Sequence, residues 1–183
     1  AEPSCDGVAS AVIAARGLTK PVETFFLPGE QLRDFFARPT QQSLPRTYNL
    51  IICVLRIVHT SWDGELLRPG IVQALRDFAG PITWYSARCW PSEDVAAVGN
   101  IIGADRLIVD EGTDCCAELV RADVDAQSDL TDEMVQMARE VRESDPEWMP
   151  SWRRIINSLK NDPSRLSSAI QPLLEGQPED YDP

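Results

Sequence analysis

Four short apolar runs punctuate the first 110 residues of the chain, and helix-sized amphipathic stretches separate them: VETFFL (22–27), YNLIICVLRIV (48–58), PITWYS (81–86) and RLIVD (106–110). Strands this far apart, with about ten to fifteen helical residues between them, cannot close as tight hairpins. They need crossover connections, which means βαβ units and a parallel sheet. The run from 48 to 58 is apolar on both faces, as a strand covered on both sides must be. The expected fold class is therefore α/β, a doubly wound, mainly parallel sheet of Rossmann-like topology with a C-terminal helical portion.

The intervening segments carry helix signals. DGVASAVIAARG has Asp6 near its start and Gly17 as its stop, and PGEQLRDFFAR (28–38) is a short amphipathic helix. WDGELLRPGIVQALRDFAG (62–80) repeats apolar residues at Ile71, Leu75 and Phe78 before Gly80. PSEDVAAVGNIIG (91–103) opens on proline and acids and ends on glycine. In TDCCAELVRA (113–122), Thr113 or Asp114 is the expected cap. Beyond residue 125 only helical patterns occur. The organisation expected is an α/β domain over 1–125, a helical extension packed on it over 126–174, and an acidic disordered tail over 175–183.

Composition narrows the function classes. A length of 183 residues with 43% hydrophobic content suits one folded domain. No apolar run reaches membrane-spanning length, and the opening AEPSCDG has neither a basic nor an apolar leader region. The net charge of −12, from 29 acids against 17 bases, repels a phosphate backbone and disfavours nucleic acid as a partner. The odd count of five cysteines lacks CxxC spacing, so reduced thiols and a cytoplasmic location are expected. There is one histidine, His59.

In a doubly wound sheet, ligands bind beyond the carboxyl ends of the strands. The segments placed there are Cys5–Asp6, Arg56–Asp63, Ser86–Trp90 and Asp110–Cys116. In that order they resemble the DHH phosphoesterases (RecJ-like). SCDGVASAVIAA is similar to the family's first Asp-x-Asp-Gly motif, GPITWYSARCWPSED to the segment that holds the Asp-His-His triplet, and RLIVDEGTDCCAELV to the following strand and helix. The resemblance spans residues 1–125. It implies two divalent metals, usually manganese, held by Asp and His side chains that activate water. The chain departs from the motifs where the metals would be held. Ser86-Ala87-Arg88 stands at the triplet, Ser4 replaces one acid of the first motif, and Leu55 or Arg56 stands where the second motif has aspartate. The expectation is a degenerate member without cofactor, the alternative being manganese.

Each candidate has two readings. Asp6 binds a ligand or serves a helix end. Arg88, beside Ser86, either grips a phosphate or carboxylate or pairs with Asp6 or Asp114 in the space the metals left. Cys5, Cys89, Cys115 and Cys116 are remote candidates for zinc or an iron–sulfur cluster, against an ordinary buried-thiol role. Trp148 and Trp152, followed by Arg153 and Arg154, have the composition of an interface hot spot, or pack an aromatic face inward. His59 is a structural or surface residue rather than a base.

The leading expectation is a catalytically inactive DHH-fold protein that binds a protein partner or its own copy as a scaffold subunit. The alternatives are a phosphoesterase with a site rebuilt around Asp6, Asp63, Asp110 and Asp114, and an anion or nucleotide sensor built on Arg88 and the Asp6 helix start.

Overall fold

The computed structural model describes residues 1–18, 23–28, 31–37, 49–54, 67–124, 127–139 and 147–175. The end of the long apolar run, His59, Trp62, Asp63 and residues 176–183 of the acidic tail lie outside the described residues. The chain falls into two compact units, Ala1–Leu27 with Gly112–Pro183, and Pro28–Glu111. In this partition the first helix packs with the C-terminal helices.

The second unit holds the sheet. Its elements are α2 (Leu32–Ala37), β1 (Leu50–Cys53), α3 (Leu67–Asp77), β2 (Ile82–Ser86), α4 (Ser92–Ile102), a 3-10 turn at Ala104–Arg106 and β3 (Leu107–Val109). All pairings are parallel, with Ile52 opposite Trp84 and Tyr85 opposite Ile108. β2 sits in the middle, which is why ITWYS is almost wholly buried, Trp84 completely so. The Trp84 ring meets Trp90 edge-on at 5.0 Å, a favoured aromatic arrangement.

The class is α/β with a parallel sheet, as the spacing of the runs requires. Two expectations change. The strand order β1-β2-β3 has no reversal, so among the described residues there is no doubly wound sheet and no switch point. Residues 23–27 form no strand of the sheet. They belong to the first unit, where the Leu27 amide donates to the Ala1 carbonyl at 3.0 Å.

The first unit is built around α1 (Cys5–Gly17), with α5 (Cys116–Asp123), α6 (Asp129–Ala138), α7 (Met149–Leu159), α8 (Pro163–Ala169) and α9 (Gln171–Glu175). Every residue of α1 from Gly7 to Ala14 is buried. A helix apolar all round has to be enclosed on all sides, and α1 packs on α5, α6, α7 and α9. Its small residues permit that approach. A Cβ on Gly7 would lie 1.9 Å from the Glu2 carbonyl oxygen, so only glycine fits there.

Candidate functional site

In the first unit, the site expected at Cys5–Asp6 is a helix-end junction. Ser4 caps α1, its hydroxyl accepting from the Gly7 amide at 3.1 Å. This frees Asp6, in the first turn, to reach a different helix. Its two carboxylate oxygens accept from the amides of Cys116 at 3.0 Å and Ala117 at 2.9 Å. Those amides open α5, so an acid 110 residues upstream does what a local cap usually does. The expected cap residues, Thr113 and Asp114, lie in the turn before the helix, and the residue at the cap position is Cys115, whose side chain makes no capping bond.

Asp114 is exposed and pairs with Arg139 at 3.6 Å, while the Arg139 guanidinium also pairs with Glu118 of α5. Arg139 was not among the sequence candidates. No local pattern links it to a helix that begins more than twenty residues earlier.

Cys115 and Cys116 are buried and Cys5 is partly so, and all five thiols are free. Burial, reinforced by the Asp6 charge, pushes the Cys115 thiol up to about 12. Burial also raises Cys5. A protonated thiol is a poor metal ligand and a poor nucleophile.

In the second unit, the ends of the three strands are tied to one another. The Val54 amide donates to the Tyr85 carbonyl at 3.1 Å and the Asp110 amide to the Ser86 carbonyl at 3.0 Å. Val54 has φ of 70°, a left-handed conformation that costs a β-branched residue about 1–3 kcal/mol. Ser86 is completely buried, and its hydroxyl accepts from the Trp90 indole at 3.2 Å and the Arg88 amide at 3.3 Å. Ser86 thus holds the turn after β2 and seats Trp90 against Trp84. Arg88 and Cys89 point outward and are exposed. The Glu111 carboxylate, bonded to the Cys89 thiol, raises it.

The triplet position therefore presents a buried hydroxyl committed to an indole, an alanine and an exposed guanidinium. These donors do not fit a two-metal centre. Among the described residues no group of three His, Cys, Asp or Glu side chains is placed to hold a metal ion.

The hot-spot candidates divide by helix phase. Met149, Trp152, Arg153 and Ile156 form the buried stripe of α7. The Arg153 guanidinium donates to the carbonyls of Gln136 at 2.7 Å and Met137 at 3.2 Å, satisfying the C-terminal end of α6. Trp152 and Arg153 are therefore interior residues. Arg154 is exposed, its guanidinium donating to the Ser151 hydroxyl, and Trp148 is half-buried.

Compared with protein-family models, with curated proteins and with solved structures, the chain matches none. No helix of the described residues is long and apolar enough to cross a membrane.

Proposed function

We propose that this chain is a degenerate DHH-like protein, without a metal cofactor and without phosphoesterase activity, that serves as a protein-binding or scaffold subunit. One observation carries most weight. Asp6, the acid that matches the family's first motif, spends both oxygens on the amides that open α5. Each oxygen has one lone pair engaged by a helix donor, which fixes the carboxylate as a cap for α5. The Ser86 hydroxyl is likewise spent on Trp90, and Arg88 brings positive charge to the triplet position. What remains is a framework of helix and sheet with charged side chains on its surface, suited to holding a partner protein.

The test is direct. The purified chain, equilibrated with manganese, is assayed for bound metal and for hydrolysis of pyrophosphate and dinucleotides. Neither stoichiometric metal nor turnover is expected, and purification from the native source is expected to bring a companion protein. Bound manganese with turnover that disappears in Asp6→Asn would overturn the proposal.

A further inference from the structure

The second unit carries an open depression of about 610 Å³ at the opposite end of the sheet from Ser86 and Arg88. It lies where α3 ends, β2 begins and α4 ends. Phe78, Ile82 and Ile101 supply apolar surface, and Asn100, Arg76 and Arg106 supply polar groups. Both arginines are exposed. Neither side chain has a hydrogen-bond or ion-pair partner among the described residues. The nearest acid in sequence to Arg76, Asp77, accepts the Gln73 amide at 2.8 Å and does not line the depression.

In a chain with 29 acids and 17 bases, two exposed arginines with no partner among the described residues share one depression of mixed polar and apolar lining. We infer that the depression formed by Arg76, Arg106, Phe78, Ile82 and Ile101 docks an acidic, apolar-anchored peptide segment of the partner protein. This rests on the partner-binding role proposed above and gives that partner its chemistry. The volume is within the range of binding clefts. The guanidiniums present forked donors that match carboxylates, while the rings and aliphatic groups take the side chains between them. A bare phosphate would gain nothing from the apolar surface. A peptide places its carboxylates at the arginines and hydrocarbon elsewhere.

The probe is a fluorescein-labelled synthetic peptide alternating Glu and Leu, titrated with the full chain and read by anisotropy. Controls replace Glu by Gln or Leu by Ser, and inorganic phosphate alone serves as competitor. The acidic-apolar peptide is expected to bind, and Arg76→Glu with Arg106→Glu to weaken it about tenfold or more. Arg165→Glu, on an exposed position of α8, should leave binding unchanged. The milder Arg76→Gln with Arg106→Gln, checked by circular dichroism, gives the same answer should the charge reversal perturb folding. No binding, binding unaffected by either arginine pair, or equal binding of the Gln peptide overturns the assignment. Full displacement by phosphate at matched concentration also overturns it, because that marks a simple anion site. Hydrolysis measured on the same preparation keeps the two proposals apart. Turnover with peptide binding intact removes only the non-catalytic role, and absent binding without turnover removes only the cleft.

Discussion

The two units use their polar side chains in opposite ways. In the helical unit, charges and hydroxyls are spent on helix ends and helix pairs. Asp6 serves α5, Arg153 closes α6, Ser128 caps α6 through the Thr131 amide, Asp162 caps α8, and Arg139 pairs with Asp114 and Glu118. In the sheet unit, parallel strand ladders satisfy the backbone without help, and aromatic packing fills the centre. Arg76, in the last turn of α3, adds favourable charge to that helix end, and both it and Arg106 stay exposed. A helical assembly leaves unsatisfied groups at each helix terminus, so its charges are recruited inward. The sheet unit has fewer helix ends among the described residues and keeps these two cations at its surface.

The contrast breaks most easily at its two centres. Trp84→Ala should cost about 3–5 kcal/mol, the largest effect, measured by urea unfolding followed through the signal of the sheet unit. An effect below about 1 kcal/mol would show that aromatic packing does not hold that unit. In the helical unit, Arg153→Met keeps the hydrocarbon stem and removes the guanidinium, leaving two carbonyls short of donors. It should cost about 1.5–3 kcal/mol. A neutral result would mean that the α6 end is satisfied by something else.

Asp6→Ala should cost about 1–2 kcal/mol, with amide hydrogen exchange at Cys116 and Ala117 accelerated and the rest of α1 protected. Asp6→Asn keeps one acceptor oxygen and should recover part of the loss. Equal loss in both would point to charge rather than hydrogen bonding as what the helix end needs.

How much of this was legible in the sequence depends on how far each partner lies along the chain. The strands at 50–53, 82–86 and 107–109 and their helical connectors follow from local periodicity, and the parallel pairing follows from the connector lengths. Residues 23–27 of that run form no strand because β propensity records a fit to a pleated surface, not which surface is on offer. The Asp6–α5 bond spans 110 residues and leaves no local mark. Arg153 and Arg154 look alike as a pair, yet the stripe 149, 152, 153, 156 follows helical spacing and could have separated them. The Ser86 pairing with Trp90 was hidden because a hydroxyl at a strand end reads as a ligand or a turn equally well.

The smallest expected effect concerns the thiols, and it too separates buried from outward groups. Cys115 is raised from its ordinary value of 9.0 to about 12. Below pH 9 the thiol is protonated in both states and contributes nothing to the pH dependence. Between about 9 and 12 the unfolded chain gives up that proton while the folded one keeps it, so stability falls as pH rises through that window. Cys115→Ala should flatten the slope there. At neutral pH, exposed Cys89 should be the first thiol alkylated, with Cys53, Cys115 and Cys116 protected until the chain unfolds. Modification of Cys116 at the rate of Cys89 would contradict the enclosure of the α5 start.

The helical unit is assembled from the beginning of the chain and from the part after residue 111. During synthesis α1 emerges before α5 to α9, with Val8, Val12 and Ile13 lacking the neighbours that cover them, and the amides that Asp6 must find do not yet exist. At ribosomal speeds of about 5–20 residues per second, that greasy segment waits for seconds while the whole sheet unit is made. A nascent chain of this design needs shelter for α1 over that interval, of the kind a chaperone gives. Circular permutants that place α1 directly before α5 should escape that dependence.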